Sequence, residues 1–161
     1  MPRPREINTA WGCNAASNAI DDELRLPWCG ACDSNQKSCV LQIEANGERL
    51  LLTGDIDASA ERALLDSPLA VTTDWLQAPH HGSRSSSSMA LLTALQPKAV
   101  LISRGHGNSF GHPHPTVVAR YQKRGLSVYD SAEQGAIRLQ LGRFKPPWTM
   151  RQERRFWRSA H

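Results

Sequence analysis

Two apolar runs that stop abruptly in polar, glycine-containing loops constrain this chain most. The first reads Leu50-Leu51-Leu52-Thr53-Gly54-Asp55 and the second Trp75-Leu76-Gln77-Ala78-Pro79-His80-His81-Gly82-Ser83. Each reads as a buried strand that delivers side chains to one end of a sheet, where rigid scaffolds carry chemistry. A third run, Lys98-Ala99-Val100-Leu101-Ile102-Ser103, has the continuous apolar character of a central strand covered on both faces. It opens into a Gly/His/Pro loop containing His106 and ending in His112-Pro113-His114-Pro115.

The segments between these runs have helical spacing. Residues 56–65 place Ile56, Ala60, Ala63 and Leu64 on one face, and Pro68 closes the segment. Residues 85–95 form a helix whose serines offer N-cap oxygens, ended by Pro97. Residues 115–124 begin with proline and stop at Gly125. Ahead of them, strands at 39–43 and 48–52 flank Ala45-Asn46-Gly47, a strong hairpin signal. Behind them, residues 126–129 and 136–141 read as the last strands. The order β-β-α-β-α-β-α-β-β predicts an α/β fold, a mixed sheet flanked by helices. Residues 37–142 form the folded unit, 1–36 read as irregular, and 143–161 as a basic, aromatic tail expected to be disordered.

Bulk properties exclude some classes. A chain of 161 residues suits one domain, and none of its apolar runs approaches membrane-spanning length. The start, Met1-Pro2-Arg3-Pro4-Arg5, has charge without an apolar core behind it, unlike a secretory signal. A net charge of +4 permits a nucleic-acid partner without requiring one. Much of the excess lies in the tail, where Arg143, Lys145, Arg151, Arg154, Arg155 and Arg158 face a single Glu153. Interleaved Trp148, Phe156 and Trp157 suit stacking on bases or lying at a membrane surface. Cys13, Cys29, Cys32 and Cys39 all lie early in the chain. Trp28-Cys29-Gly30-Ala31-Cys32 looks locally like a redox box, but loop residues follow it where a redox box has a long helix. A structural pair, a chance match or a weak metal knuckle is the expectation there, and Cys39 is expected to be a small buried hydrophobe.

The chemistry gathers at the strand ends. Carboxylate and imidazole suit zinc, manganese or iron. Asp55 fits a metal ligand, and equally a turn residue or helix N-cap. His80-His81 before Gly82-Ser83 is harder to explain as structure alone. Of His106, His112 and His114, one is expected to contribute. Ser83 and residues 85–88 offer either a phosphate cradle or ordinary capping.

Taken together, Leu51-Leu52-Thr53-Gly54-Asp55, Ala78-Pro79-His80-His81-Gly82-Ser83 with Ser86-Ser87-Ser88, Asn108 with Gly111-His112-Pro113-His114, and Gly135-Ala136-Ile137 resemble the C-terminal metallo-β-lactamase-like domain of the ComEC competence family. Asn35 with Ser38-Cys39-Val40-Leu41 resembles its lead-in strand. The resemblance implies part of an αββα sandwich and a di-metal hydrolase, a phosphodiesterase or nuclease using zinc or manganese. It implies metal ligation by Asp55 and by His80 or His81, catalytic roles for His112, His114 and Ser83, and substrate contacts from Ser86, Ser87 and Asn108. Single-stranded DNA in competence DNA uptake is the implied substrate. The implied partner is a membrane channel portion of the same protein, with this domain on the extracytoplasmic face of the inner membrane. The superfamily's upstream His-x-His/Asp-x-Asp-His run is absent, so the chain reads as an N-terminally truncated piece with an incomplete site. The alternative is a catalytically silent module that binds nucleic acid or a partner. A redox protein built on Cys29 and Cys32 is a third reading.

Overall fold

The structure, a computed structural model, describes residues 6–10 and 38–152. Strands β2 (Val40–Ala45) and β3 (Glu48–Leu52) form the expected hairpin, with Ala45 opposite Glu48. Asn46 and Gly47 take φ of 51° and 80°, the left-handed pair that a two-residue hairpin turn demands. Helix α1 (Ala58–Leu65) then crosses to β4 (Trp75–Gln77), α2 (Met89–Leu95) to β5 (Ala99–Ile102), and α3 (Pro115–Lys123) to β6 (Ser127–Asp130). Strands β3 to β6 are successive parallel neighbours, so their C-terminal ends open on one edge. A short α4 (Ser131–Gln134) follows β6.

Alternation along the strands divides the core into two. Leu51, Leu76 and Val100 face the helices and pack with Leu64, Leu92 and Tyr121. Leu50, Trp75 and Ala99 face the other way, covered by Leu139 and Leu141. Each fully buried leucine contributes about 1.5–3 kcal/mol over its exposed state.

Several boundaries differ from the sequence expectation. The segment expected to be irregular contains β1 (Glu6–Ala10), which pairs antiparallel with β2, Ala10 opposite Val40. A five-residue stretch has too little pattern to announce itself, and the open edge of β2 supplies its hydrogen bonds. Helix α1 starts at Ala58 because Asp57, rather than Asp55, accepts from the Ser59 and Ala60 amides. Helix α2 starts only at Met89, capped by Ser88, whose Oγ accepts from Leu91 N. The strand expected at 136–141 shrinks to β7 (Ile137–Arg138), which leaves the main sheet and pairs with β8 (Trp148–Thr149).

Strand β8 lies in the tail expected to be disordered, and Glu48 explains its order. The Glu48 carboxylate is 1% exposed and accepts from the Trp75 indole at 2.7 Å. It also accepts from the backbone N–H groups of Gly142, Arg143 and Phe144 at 2.6, 3.1 and 3.1 Å. Glu48→Ala would leave four donors without this acceptor, and a loss of about 3 kcal/mol in urea unfolding is expected. Unchanged stability and unchanged Trp75 fluorescence would show that β8 is held by its apolar contacts alone.

Cys39 is exposed and disulfide-bonded, not the buried hydrophobe its apolar neighbours suggested. Cys29, Cys32 and residues 153–161, with their expected roles, lie outside the described residues. Among the described residues no helix is long and apolar enough to cross a membrane.

Candidate active site at the carboxyl edge of the parallel strands

Three loops meet at the edge where β3, β4 and β5 end. Backbone hydrogen bonds stitch them together: His80 N donates to Gly54 O at 3.0 Å, and His114 N to Gly82 O at 2.8 Å. Thr53 Oγ1 donates to Gln77 O at 3.0 Å, tying the first two loops at their roots. After β4 the chain turns through Pro79–Gly82 with His80, His81 and Gly82 at φ of 48°, 54° and 82°. Left-handed backbone at two histidines costs about 1–3 kcal/mol each, and such strain concentrates at functional sites. The turn aims both imidazoles at the first and third loops.

Asp55 and His81 face each other, His81 Nε2 lying 3.3 Å from Asp55 Oδ1. The other ring nitrogen, Nδ1, lies 2.6 Å from the carbonyl of Ser103. That carbonyl can only accept, so Nδ1 carries a proton. Nε2 then meets a carboxylate, which is favourable with a proton on Nε2 or with a shared cation. His80 and His112 lie edge to face, with centroids 5.7 Å apart. Nδ1 of each is buried and has no hydrogen-bond partner among the described residues. A buried imidazole nitrogen left open in a native fold points to a role beyond packing.

His112 is held by Asn108, which clamps both sides of it. Asn108 Oδ1 accepts from His112 N at 3.0 Å, and its Nδ2 donates to His112 O at 2.8 Å. Asn108, expected to touch substrate, therefore spends its amide on loop shape. Desolvation, followed by the nearby charges of His80, His81 and His114, lowers the His112 pKa from its ordinary 6.5. The unfolded chain therefore binds that proton more readily than the folded one, and stability drops as pH falls from about 6.5 towards the folded value. Between about pH 7 and pH 5, His112→Gln should lose less stability than the unsubstituted chain in thermal melts. Equal losses would show that His112 titrates freely.

His114 is the N-cap of α3, its Nδ1 accepting from Thr116 N and paired with Thr116 Oγ1 at 2.8 Å. His106 is exposed. Ser83 is 8% exposed, and its Oγ meets Ser85 Oγ at 3.2 Å. Ser86 and Ser87 are fully buried. Ser86 Oγ donates to Ser83 O at 2.8 Å and Ser87 Oγ pairs with Tyr121 Oη at 2.6 Å. Their hydroxyls are engaged inside the fold.

A buried polar network that the sequence did not announce holds this serine loop. The Glu61 carboxylate is fully buried and accepts from Ser87 N and from Ser88 N. Arg120 Nη1 donates to the Ser86 and Ser87 carbonyls at 2.8 and 3.1 Å. Burial raises the Glu61 pKa and pushes that of Tyr121 up to about 12. No local signal in the sequence marks Glu61 as buried.

A catalytic metal centre takes about three protein ligands. Asp55 and His81 suit a cation, but among the described residues no three of His, Cys, Asp and Glu converge to hold one.

Residues 34–106 match the Metallo-beta-lactamase superfamily, and the mixed sheet flanked by helices agrees with that fold. Over these residues the chain is similar to this superfamily, whose members generally bind divalent metals. Its relatives are competence proteins of the ComEC type, as the sequence resemblance implied. It is 37% identical over 112 residues to Competence protein ComA of Neisseria gonorrhoeae, covering 69% of this chain and 16% of that protein. It is 33% identical over 103 residues to ComE operon protein 3 of Bacillus subtilis, covering 64% and 13%. It is 33% identical over 105 residues to Recombination protein 2 of Haemophilus influenzae, covering 65% and 13%. The chain thus spans about one-sixth or less of the length of these relatives.

Proposed function

We propose that this chain carries part of a phosphodiesterase or nuclease site that acts on DNA during competence DNA uptake. The observation that supports it best is the meeting of Asp55, His80, His81 and His112 at the ends of adjacent parallel strands, in a superfamily of metal-binding proteins with competence-protein relatives. Asp55 and His81, with His80 adjoining, would be this chain's donors to a zinc or manganese ion, which would supply charge stabilisation at the phosphate.

The roles of the chain's own side chains follow from their partners. Ser103 holds the His81 ring in one orientation towards Asp55. His112, kept neutral by its surroundings, accepts the proton of the attacking water. His114 is committed at Nδ1 to capping α3, and the proton that His112 takes up passes on to the leaving oxygen as the P–O bond breaks. Ser83 lines the site beside them. The disulfide at Cys39 supports an oxidising, extracytoplasmic setting beside a membrane channel portion.

Asp55→Ala and His81→Ala test this reading. Each is expected to lower the metal content of the purified chain, measured by elemental analysis, and to slow DNA cleavage about 100-fold or more. Unchanged metal content and unchanged cleavage would overturn it and leave a binding-only module.

A further inference from the structure

Phe110 lies on the loop between β5 and α3, and its 81% exposure exceeds that of every other large hydrophobic among the described residues. One face of its ring stacks on His112, with centroids 6.0 Å apart and planes 23° from parallel. His112 in turn lies against His80, so the exposed ring continues directly from the candidate site. Asn108 fixes the backbone that carries both rings through its two hydrogen bonds to His112. Arg84, which follows Ser83, is exposed and makes no ion pair among the described residues.

We propose that Phe110 is a stacking platform for an unpaired base of a single-stranded nucleic acid whose backbone passes the Asp55–His81 pair, with Arg84 beside a phosphate. This rests on the phosphodiesterase reading and assigns to Phe110 the contact with a base. A ring backed on one side by His112 and open on the other accepts a planar, weakly polar partner. In a duplex the faces of the bases are already stacked, so only an unpaired base presents one. A protein partner or a lipid surface needs a contiguous apolar patch. The loop around Phe110 offers Gly107, Asn108, Ser109 and Gly111 instead.

The test is binding to labelled oligonucleotides at fixed salt, read by fluorescence anisotropy, with the full chain. The probes are single-stranded oligothymidylate, an abasic oligonucleotide of the same length, and a duplex. Phe110→Ala should weaken binding to the base-bearing single strand about 5- to 100-fold, with Phe110→Trp retaining it. It should leave the abasic strand and the duplex within about twofold, since phosphate contacts are untouched. Equal weakening on the abasic strand, or no weakening on the base-bearing one, would overturn the platform. Cleavage that still depends on Asp55 would then leave the nuclease reading intact. A chain that neither binds nor cleaves any of the three would overturn both.

Discussion

Glu61→Ala is expected to cost about 3–5 kcal/mol of folding stability, from leaving two amide donors without their acceptor at about 1–3 kcal/mol each. The carboxylate is fully buried and its two oxygens accept the Ser87 and Ser88 amides. Alanine leaves those donors, Ser87 itself being fully buried, without an acceptor in a low-dielectric interior. It also leaves Arg120 bonded to two carbonyls with no nearby counter-charge. Glu61→Gln keeps the shape and one acceptor but turns an NH2 towards a second donor, so an intermediate loss of about 1–3 kcal/mol is expected. Urea unfolding of the three chains checks the order. A loss below about 1 kcal/mol for alanine would mean that the Ser86–Ser83 and Ser87–Tyr121 hydrogen bonds hold the loop without Glu61.

Gly82→Ala is expected to cost about 100-fold in any cleavage the site performs, with a stability loss of about 1–3 kcal/mol. Gly82 has φ of +82°, and a Cβ there would lie 2.7 Å from Pro113 Cβ and 3.2 Å from its Cα. Pro113 sits between His112 and His114, so pushing it away moves both histidines from Asp55 and His81. Gly111→Ala is the control: φ is +66°, but nothing lies within 4 Å of its Cβ. It carries the backbone cost of the left-handed region without the collision. Equal effects of the two substitutions on cleavage would show that the docking of Pro113 on Gly82 does not position the site.

The serine loop shows why some surroundings were not legible. A run of four serines before a helix looks alike in sequence whether it caps, cradles a phosphate or fills a core. Only Ser88 caps. Ser86 and Ser87 are drawn inside because Tyr121 and Arg120, more than thirty residues later in the chain, provide partners for the loop. The part Asn108 plays in loop shape was hidden for the same reason, since its partner is the backbone of His112. Phe110 left no periodic signal either, because one residue in a loop has no period.

What the sequence by itself determined is the set of local features. The hairpin follows from Asn46-Gly47, the parallel order from apolar runs alternating with helical ones, and the gathering of Asp55, His80 and His81 from runs that end in those residues. These rest on periodicity and turn chemistry, which act over a few residues. Only the tertiary structure decided which polar groups are buried and what meets them. Glu48 reaches Gly142 across 94 positions, and Glu61 reaches Ser87 across 26. The burial that makes such hydrogen bonds strong, and their absence costly, exists only once both sheet faces are covered.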